Sequence, residues 1–221
     1  KVACGAYHSV AVTKSGRVFS WGFNRYGQCG DGSMENTISA PSPTKLDRIA
    51  LDANGRVAQV VCGRHHSALV TSRGGLYTWG GSSFGKLGLP SPEKVVYSPK
   101  EVPFFRNLPV QQVDTGEFVF LHSSGGDFHM AALTRVGEVF SWGYGLEGQG
   151  GHGGLLHTRT PRRVNALNNA NVYEVVCGPW WSMAMTSEGQ CYAWGCADGG
   201  WTGLDQPWDL QRVELAAPME W

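Results

Sequence analysis

The sequence predicts an all-β protein: four short antiparallel sheets of four strands each, succeeding one another along 221 residues as blades of a β-propeller. Three observations carry the prediction. First, glycine and tryptophan return in step. Counting from Gly5, Gly63, Gly126 and Gly178, a threonine stands eight residues on (Thr13, Thr71, Thr134, Thr186) and a glycine eleven on (Gly16, Gly74, Gly137, Gly189). An aromatic follows (Phe19, Tyr77, Phe140, Tyr192), then the Trp-Gly pairs of Trp21, Trp79, Trp142 and Trp194, then two closing glycines such as Gly27 and Gly30. Such recurrence marks a repeat architecture. Second, the 31 glycines fall in register, unlike those of a disordered segment. Third, no stretch sustains the apolar period of an amphipathic helix.

The elements of a copy follow in order. An apolar run ending at the origin glycine is the first strand (Val57 to Cys62, Val172 to Cys177). In copy one, Ser9 to Thr13 is the second, Lys14-Ser15-Gly16-Arg17 is a turn, and Val18 to Trp21 runs back as the third. Glycine in the third place of the turn supplies the positive φ of a short hairpin loop. A proline-led run is the fourth (Pro99 to Val102, Pro161 to Val164, Pro207 to Val213), and proline at its head suits an edge strand. Within this single propeller region the blades are expected at about 1–56, 57–109, 110–171 and 172–221. Copy three is ambiguous. Val113-Asp114-Thr115-Gly116 matches Val60-Val61-Cys62-Gly63 as well as Gly126 does, and both hold if ten residues, roughly Glu117 to Gly126, are inserted after the first strand.

Composition narrows the function. Lys+Arg and Asp+Glu stand at 18 each, a net charge of zero, which argues against the dense cationic face that strong nucleic-acid binding needs. No signal-peptide pattern and no long apolar run is present, so no membrane segment is expected. Cys4, Cys62 and Cys177 share one repeat position in separate blades, too far apart to bridge, and reduced cysteines suit the cytosol or nucleus. Cys191 and Cys196 lack further ligands at zinc spacing, so neither metal nor cofactor is expected. There is no P-loop, dinucleotide fingerprint or Gly-x-Ser-x-Gly elbow, and Gly151-His152-Gly153-Gly154 matches an esterase oxyanion loop only in part. No catalytic residue is assigned. His8, His66 and His129 hold one repeated position and are expected to bond to loop backbone, whereas His65, His122, His152 and His157 are not repeated and are free for function.

Binding residues are sought where the repeat breaks. The insertion carries Phe118, Phe120 and His122; Pro179-Trp180-Trp181 takes the loop held in copy two by Arg64-His65-His66; Trp201 stands in an outer loop of copy four. Loops on a rigid scaffold carry function, and aromatics anchor protein interfaces. Arg64, His65, Phe118, Phe120, His122, Trp180, Trp181 and Trp201 are therefore the candidate partner-binding residues. In the alternative, the insertion pads its own blade and the tryptophans cover an open blade face. Gly5, Trp21, Gly63, Trp79, Gly126, Trp142, Gly178 and Trp194 are expected to be structural core.

Val2-Ala3-Cys4-Gly5-Ala6-Tyr7-His8-Ser9-Val10-Ala11-Val12, with Gly16, Trp21-Gly22, Asn24 and Gly27-Gln28-Cys29-Gly30, resembles the repeat of the regulator of chromosome condensation family, and the resemblance extends over essentially the whole chain. Copies two and four depart from it, with Lys86 for the glutamine, Trp201-Thr202 for the Gln-x pair and Trp181 for the histidine. The resemblance implies a seven-bladed propeller, of which four copies are expected to make an open arc, with a closed four-bladed ring as the alternative. The arc's uncovered end faces would pair with further blades or with another copy. As to function, the residues point to a protein-interaction scaffold without chemistry of its own. The resemblance implies an alternative, a guanine-nucleotide exchange factor for a Ran-type small GTPase, an activity needing no acid, base or nucleophile. A third reading is a targeting or regulatory propeller of a larger protein such as a ubiquitin ligase. The Gly-Trp-Arg-His-Thr pattern of the family's plant ultraviolet-B photoreceptor is absent, copy four reading Gly178-Pro179-Trp180-Trp181-Ser182, which argues against light sensing.

Overall fold

The computed structural model describes residues 1–36, 44–45, 56–90, 93–116, 129–196 and 211–213. Four sheets follow the chain. The first holds β1 (Val2–Cys4), β2 (His8–Val12), β3 (Val18–Gly22) and β4 (Thr44–Lys45); the second β5 (Val57–Cys62), β6 (His66–Thr71), β7 (Leu76–Gly81) and β8 (Val95–Glu101). The third holds β9 (Val110–Thr115), β10 (His129–Thr134), β11 (Val139–Gly143) and β12 (Thr158–Arg163); the fourth β13 (Val172–Cys177), β14 (Trp181–Thr186), β15 (Cys191–Gly195) and β16 (Gln211–Val213). Each is an antiparallel meander with its strands side by side in chain order. The helical pieces among the described residues are three single 3-10 turns, Ser83–Gly85, Pro103–Phe105 and Asn165–Leu167.

The repeated threonine and glycine build the hairpin turn together. Gly16, Gly74, Gly137 and Gly189 take φ of 84°, 93°, 80° and 77°. The threonine hydroxyl accepts the N–H four residues on: Arg17 N–H to Thr13 at 3.0 Å, Gly75 to Thr71 at 3.0 Å, Glu138 to Thr134 at 3.1 Å and Gln190 to Thr186 at 3.1 Å.

Tryptophan and the closing glycines join one sheet to the next. The indole N–H of Trp79 donates to Gln28 O of the sheet before, that of Trp142 to Lys86 O and that of Trp194 to Gln149 O, each at 2.8 Å. Gly30, Gly88 and Gly151 lie against these indoles, and a Cβ at Gly30 would stand 2.6 Å from Trp79 Nε1. Glutamines on the first strands add a second link: Gln59 grips the backbone of Val113 through both ends of its amide, and Gln112 does the same to Val175. Three apolar cores result, one at each junction: around Val10, Leu69 and Trp79, around Val70, Met130 and Trp142, and around Leu133, Val175 and Trp194.

Among the described residues, the two outer sheets are less covered than the two middle ones. β6 and β10 of the two middle sheets are buried along their whole length, whereas β2 and β14 of the outer sheets alternate buried with half-buried. Val2 is 64% exposed although its counterparts Val60, Val113 and Val175 are 8%, 0% and 1% exposed. At the other end Tyr173 and Val176 of β13 lie bare, where Val61 of β5 packs against the next sheet.

Two expectations need correction, and one ambiguity resolves: in copy three the glycine that closes the first strand is Gly116. β9 ends at Thr115, Gly116 donates its N–H to His129 O, and a Cβ there would meet Gly178 O and the His129 ring, just as one at Gly5 would meet Gly63 O and the His8 ring. Gly126 itself lies outside the described residues. Pro99 and Pro161 lie inside the fourth strands rather than leading them. In β8, Tyr97 to Pro99 bulge opposite Trp79, between the Thr78–Lys100 and Gly80–Val96 pairs, and Pro161 occupies the same kind of bulge in β12. A bulged outer strand asks no ladder hydrogen bond of proline. Pro207 lies outside the described residues. Finally, the repeated histidines bond across the sheet junction to a hydroxyl: His8 Nε2 to Ser67 at 2.6 Å, His66 to Thr115 at 2.7 Å and His129 to Ser182 at 2.8 Å. Buried between sheets, the ring reaches the neighbour's side chain before any loop backbone.

Candidate functional site

Because the start of each second strand pairs with the end of the third (His8 with Gly22, His66 with Gly80, His129 with Gly143, Trp181 with Gly195), the loops flanking those strands leave the sheets at one end. The hairpin turns, carrying Lys14, Arg73, Arg135 and Glu188, leave at the other. The first end is aromatic, and its rings gather across sheet boundaries.

One cluster joins the first two sheets. His65 stacks on Tyr7 (centroids 6.0 Å apart, 18° between planes) and meets Tyr26 at 4.4 Å, while Phe23 closes edge-on against Tyr7 at 6.0 Å. The Arg64 guanidinium lies over the Tyr7 ring at 5.8 Å. Tyr7 and Tyr26 are 45% and 41% exposed, so the cluster is a surface feature. Burial, then the positive charges of Lys86 and Arg64, push the His65 pKa down to about 4. The imidazole is therefore a neutral ring at physiological pH, suited to stacking.

A second cluster spans the next two junctions. Phe84 meets Tyr144 edge-on at 5.2 Å and His157 at 4.7 Å; Tyr144 meets His157 at 4.9 Å and Trp180 at 6.1 Å. Burial and then Arg159 lower the His157 pKa as well. Phe84 reaches this position through a left-handed backbone, φ 59° and ψ 13°. The copies differ two residues on. In copies one and three the turn N–H of Tyr26 and Glu147 donates to the side-chain carbonyl of Gln28 and Gln149, both at 3.0 Å. Copy two has Lys86 there, buried, and an ammonium cannot accept a hydrogen bond. The turn refolds and aims the ring at the third sheet.

Of the residues singled out in the sequence, Arg64, His65 and Trp180 come to this face. Trp181 does not join them: it opens β14 in the slot of the repeated histidine, half-buried and packed over Gly178. Phe118, Phe120, His122 and Trp201 lie outside the described residues. His157, singled out as a non-repeated histidine, joins the second cluster, whereas Tyr7, Phe23, Tyr26, Phe84 and Tyr144 were missed. Their signal was a weaker recurrence: Tyr7, His65 and Trp180 share one loop offset, Phe23 and Tyr144 another, Tyr26 and Phe84 a third. His152 bonds to Ser141 at 3.0 Å, but that hydroxyl is wholly buried and donates to Gly150 O, the role Ser20 and Thr78 play toward Cys29 O and Leu87 O. It closes a loop.

Comparison with known proteins agrees with this architecture. The family model described as the regulator of chromosome condensation (RCC1) repeat matches residues 15–70, 73–133 and 136–185, and a second model of the same repeat matches 1–28 and 57–86. Human E3 ubiquitin-protein ligase HERC2 is 34% identical over 193 residues, 87% of this chain but 4% of that protein. The ultraviolet-B receptor UVR8 of Arabidopsis thaliana is 31% identical over 208 residues, 94% of this chain and 43% of the receptor. The chain thus spans less than half the length of either relative. In the crystal structure of Kap60 bound to yeast RCC1 (Prp20), 49% of the matched chain superimposes on 99% of this one with a TM-score of 0.78 and 22% identity, a likeness of fold.

Proposed function

The chain belongs to the regulator of chromosome condensation (RCC1) repeat family, and on that premise we propose that it is a protein-binding propeller region with no chemistry of its own, which takes its partner on the aromatic face. The observation that carries this reading is the pair of ring clusters at one end of the arc, assembled across sheet junctions and partly exposed. Preorganised aromatic groups lose little entropy on binding and dominate interface energetics.

A photo-crosslinking residue at position 26 or 84, compared with one at the exposed Val136 on the opposite end, tests the reading. A partner captured from 26 and 84 and not from 136, whose purified form loses at least tenfold in affinity to Tyr26→Ala or Trp180→Ala, is the expected result. Equal capture from both ends refutes it. A second reading is favoured by the HERC2 match: a targeting or regulatory propeller within a longer chain, for which the captured partner would be recruited for ubiquitin transfer. Guanine-nucleotide exchange on a Ran-type small GTPase is the competing activity. Release of labelled nucleotide from purified small GTPases decides it, since acceleration by substoichiometric chain would replace the passive scaffold with an exchange factor.

A further inference from the structure

Beside the second ring cluster, between the second and third sheets, lies an open groove of about 760 Å³. Phe84, Leu89 and Pro90 supply its apolar surface, and Glu93, Lys94 and Arg159 its charges. The Glu93 carboxylate is engaged by Lys100 at 2.8 Å. Lys94 and Arg159, both exposed, make no ion pair among the described residues. The groove therefore offers an apolar floor flanked by two cations that form no ion pair among the described residues, in a chain whose overall charge is zero. Phe84 holds its place on that floor in a left-handed backbone, a conformation a bulky residue adopts at a cost and one that clusters at binding sites. The groove volume falls in the range of ligand-binding clefts.

We propose that this groove receives a short peptide segment of the partner in which an acidic side chain adjoins an aliphatic or aromatic one. The apolar side chain rests against Phe84 and Leu89, and the carboxylate meets Lys94 and Arg159. This deepens the reading of the aromatic face as a docking surface and rests on it. Arg159 is the better carboxylate partner, since its planar fork can present two parallel donors, while Lys94 contributes a point charge. A basic or polar peptide finds two like charges and an apolar floor, so discrimination comes from repulsion as well as attraction.

The test titrates three acetylated, amidated peptides, Ser-Glu-Leu-Glu-Ser, Ser-Lys-Leu-Lys-Ser and Ser-Glu-Gly-Glu-Ser, into the nitrogen-15-labelled 221-residue chain. Saturable amide shifts at Phe84, Leu89 and Arg159 with the first peptide, and at least tenfold weaker binding of the other two, are expected. The double variant Lys94→Glu with Arg159→Glu, shown to keep the wild-type melting temperature, should invert the preference between the first two. Equal response to all three peptides, or an unchanged preference in the charge-reversed variant, overturns the proposal. So does hexanoate shifting the same resonances as strongly as the peptide, which would mark a site for small anionic amphiphiles. If crosslinking from position 84 captures a partner while no peptide binds, the groove assignment fails and the docking face survives; if neither occurs, both fail.

Discussion

Lys86 occupies the place where Gln28 and Gln149 turn their side-chain carbonyls onto a loop N–H, and Phe84 of the same turn takes a left-handed backbone. Lys86→Gln restores the acceptor, and we expect Phe84 to return to negative φ. The strong intraresidue amide-to-Hα cross-peak that marks a positive φ should disappear from the nuclear Overhauser spectrum; its persistence would show that something other than the missing acceptor holds the turn. The repeated threonines make a simpler case. Thr71 is buried and caps its turn, so Thr71→Ala leaves the Gly75 N–H short of a partner and should cost about 1 kcal/mol in urea unfolding. Thr13, half-exposed in the equivalent turn, should lose less, because water replaces the hydroxyl.

At the scale of the element, the third sheet shows how one repeat can deviate and keep its junction. In the other sheets a cysteine on the first strand faces a serine on the second: Cys4 with Ser9, Cys62 with Ser67, Cys177 with Ser182. The third sheet has Thr115 facing Met130, so the hydroxyl that meets the preceding histidine has crossed to the partner strand. Thr115→Cys alone should destabilise by roughly 1 kcal/mol or more by leaving His66 Nε2 buried without a partner. Adding Met130→Ser should recover part of that loss, a coupling of at least ~0.5 kcal/mol in a double-mutant cycle. Additive effects would mean the two positions do not exchange the role. The hairpins were legible from sequence because threonine, glycine and aromatic sit at short fixed offsets, so β2 and β3 fell within a residue of their expected limits. The phase of the third copy was less legible, since Gly126 keeps the spacing that Gly116 keeps in space. The binding face was legible only as loops. Tyr7 with His65 and Phe84 with Tyr144 meet across sheet junctions, and nothing in local spacing encodes which loop of one sheet faces which loop of the next.

For the molecule as a whole, the junctions impose a pH dependence. Burial lowers the His8 and His129 pKa values from 6.5 to about 4, and burial, then the nearby Lys86 charge, holds that of His66 well below its ordinary value. Below pH 6.5 the unfolded chain takes up protons that the folded arc refuses, so stability falls as pH drops toward 4, where His8 and His129 begin to charge in the fold as well. At pH 5 His8 and His129 should each cost about 2 kcal/mol relative to pH 7.5. Urea unfolding at the two pH values should show this, and His129→Gln should flatten the dependence while lowering stability at pH 7.5. A profile unchanged by that substitution would remove the histidines as its source.

The indole bonds all point backwards along the chain, from Trp79, Trp142 and Trp194 to loops of the sheet before. During synthesis, then, a newly emerged repeat holds an unpaired loop carbonyl and a bare apolar side until its successor clears the ribosome. Maturation lags translation by one repeat, and a stalled nascent chain would always present its last sheet as the sticky one.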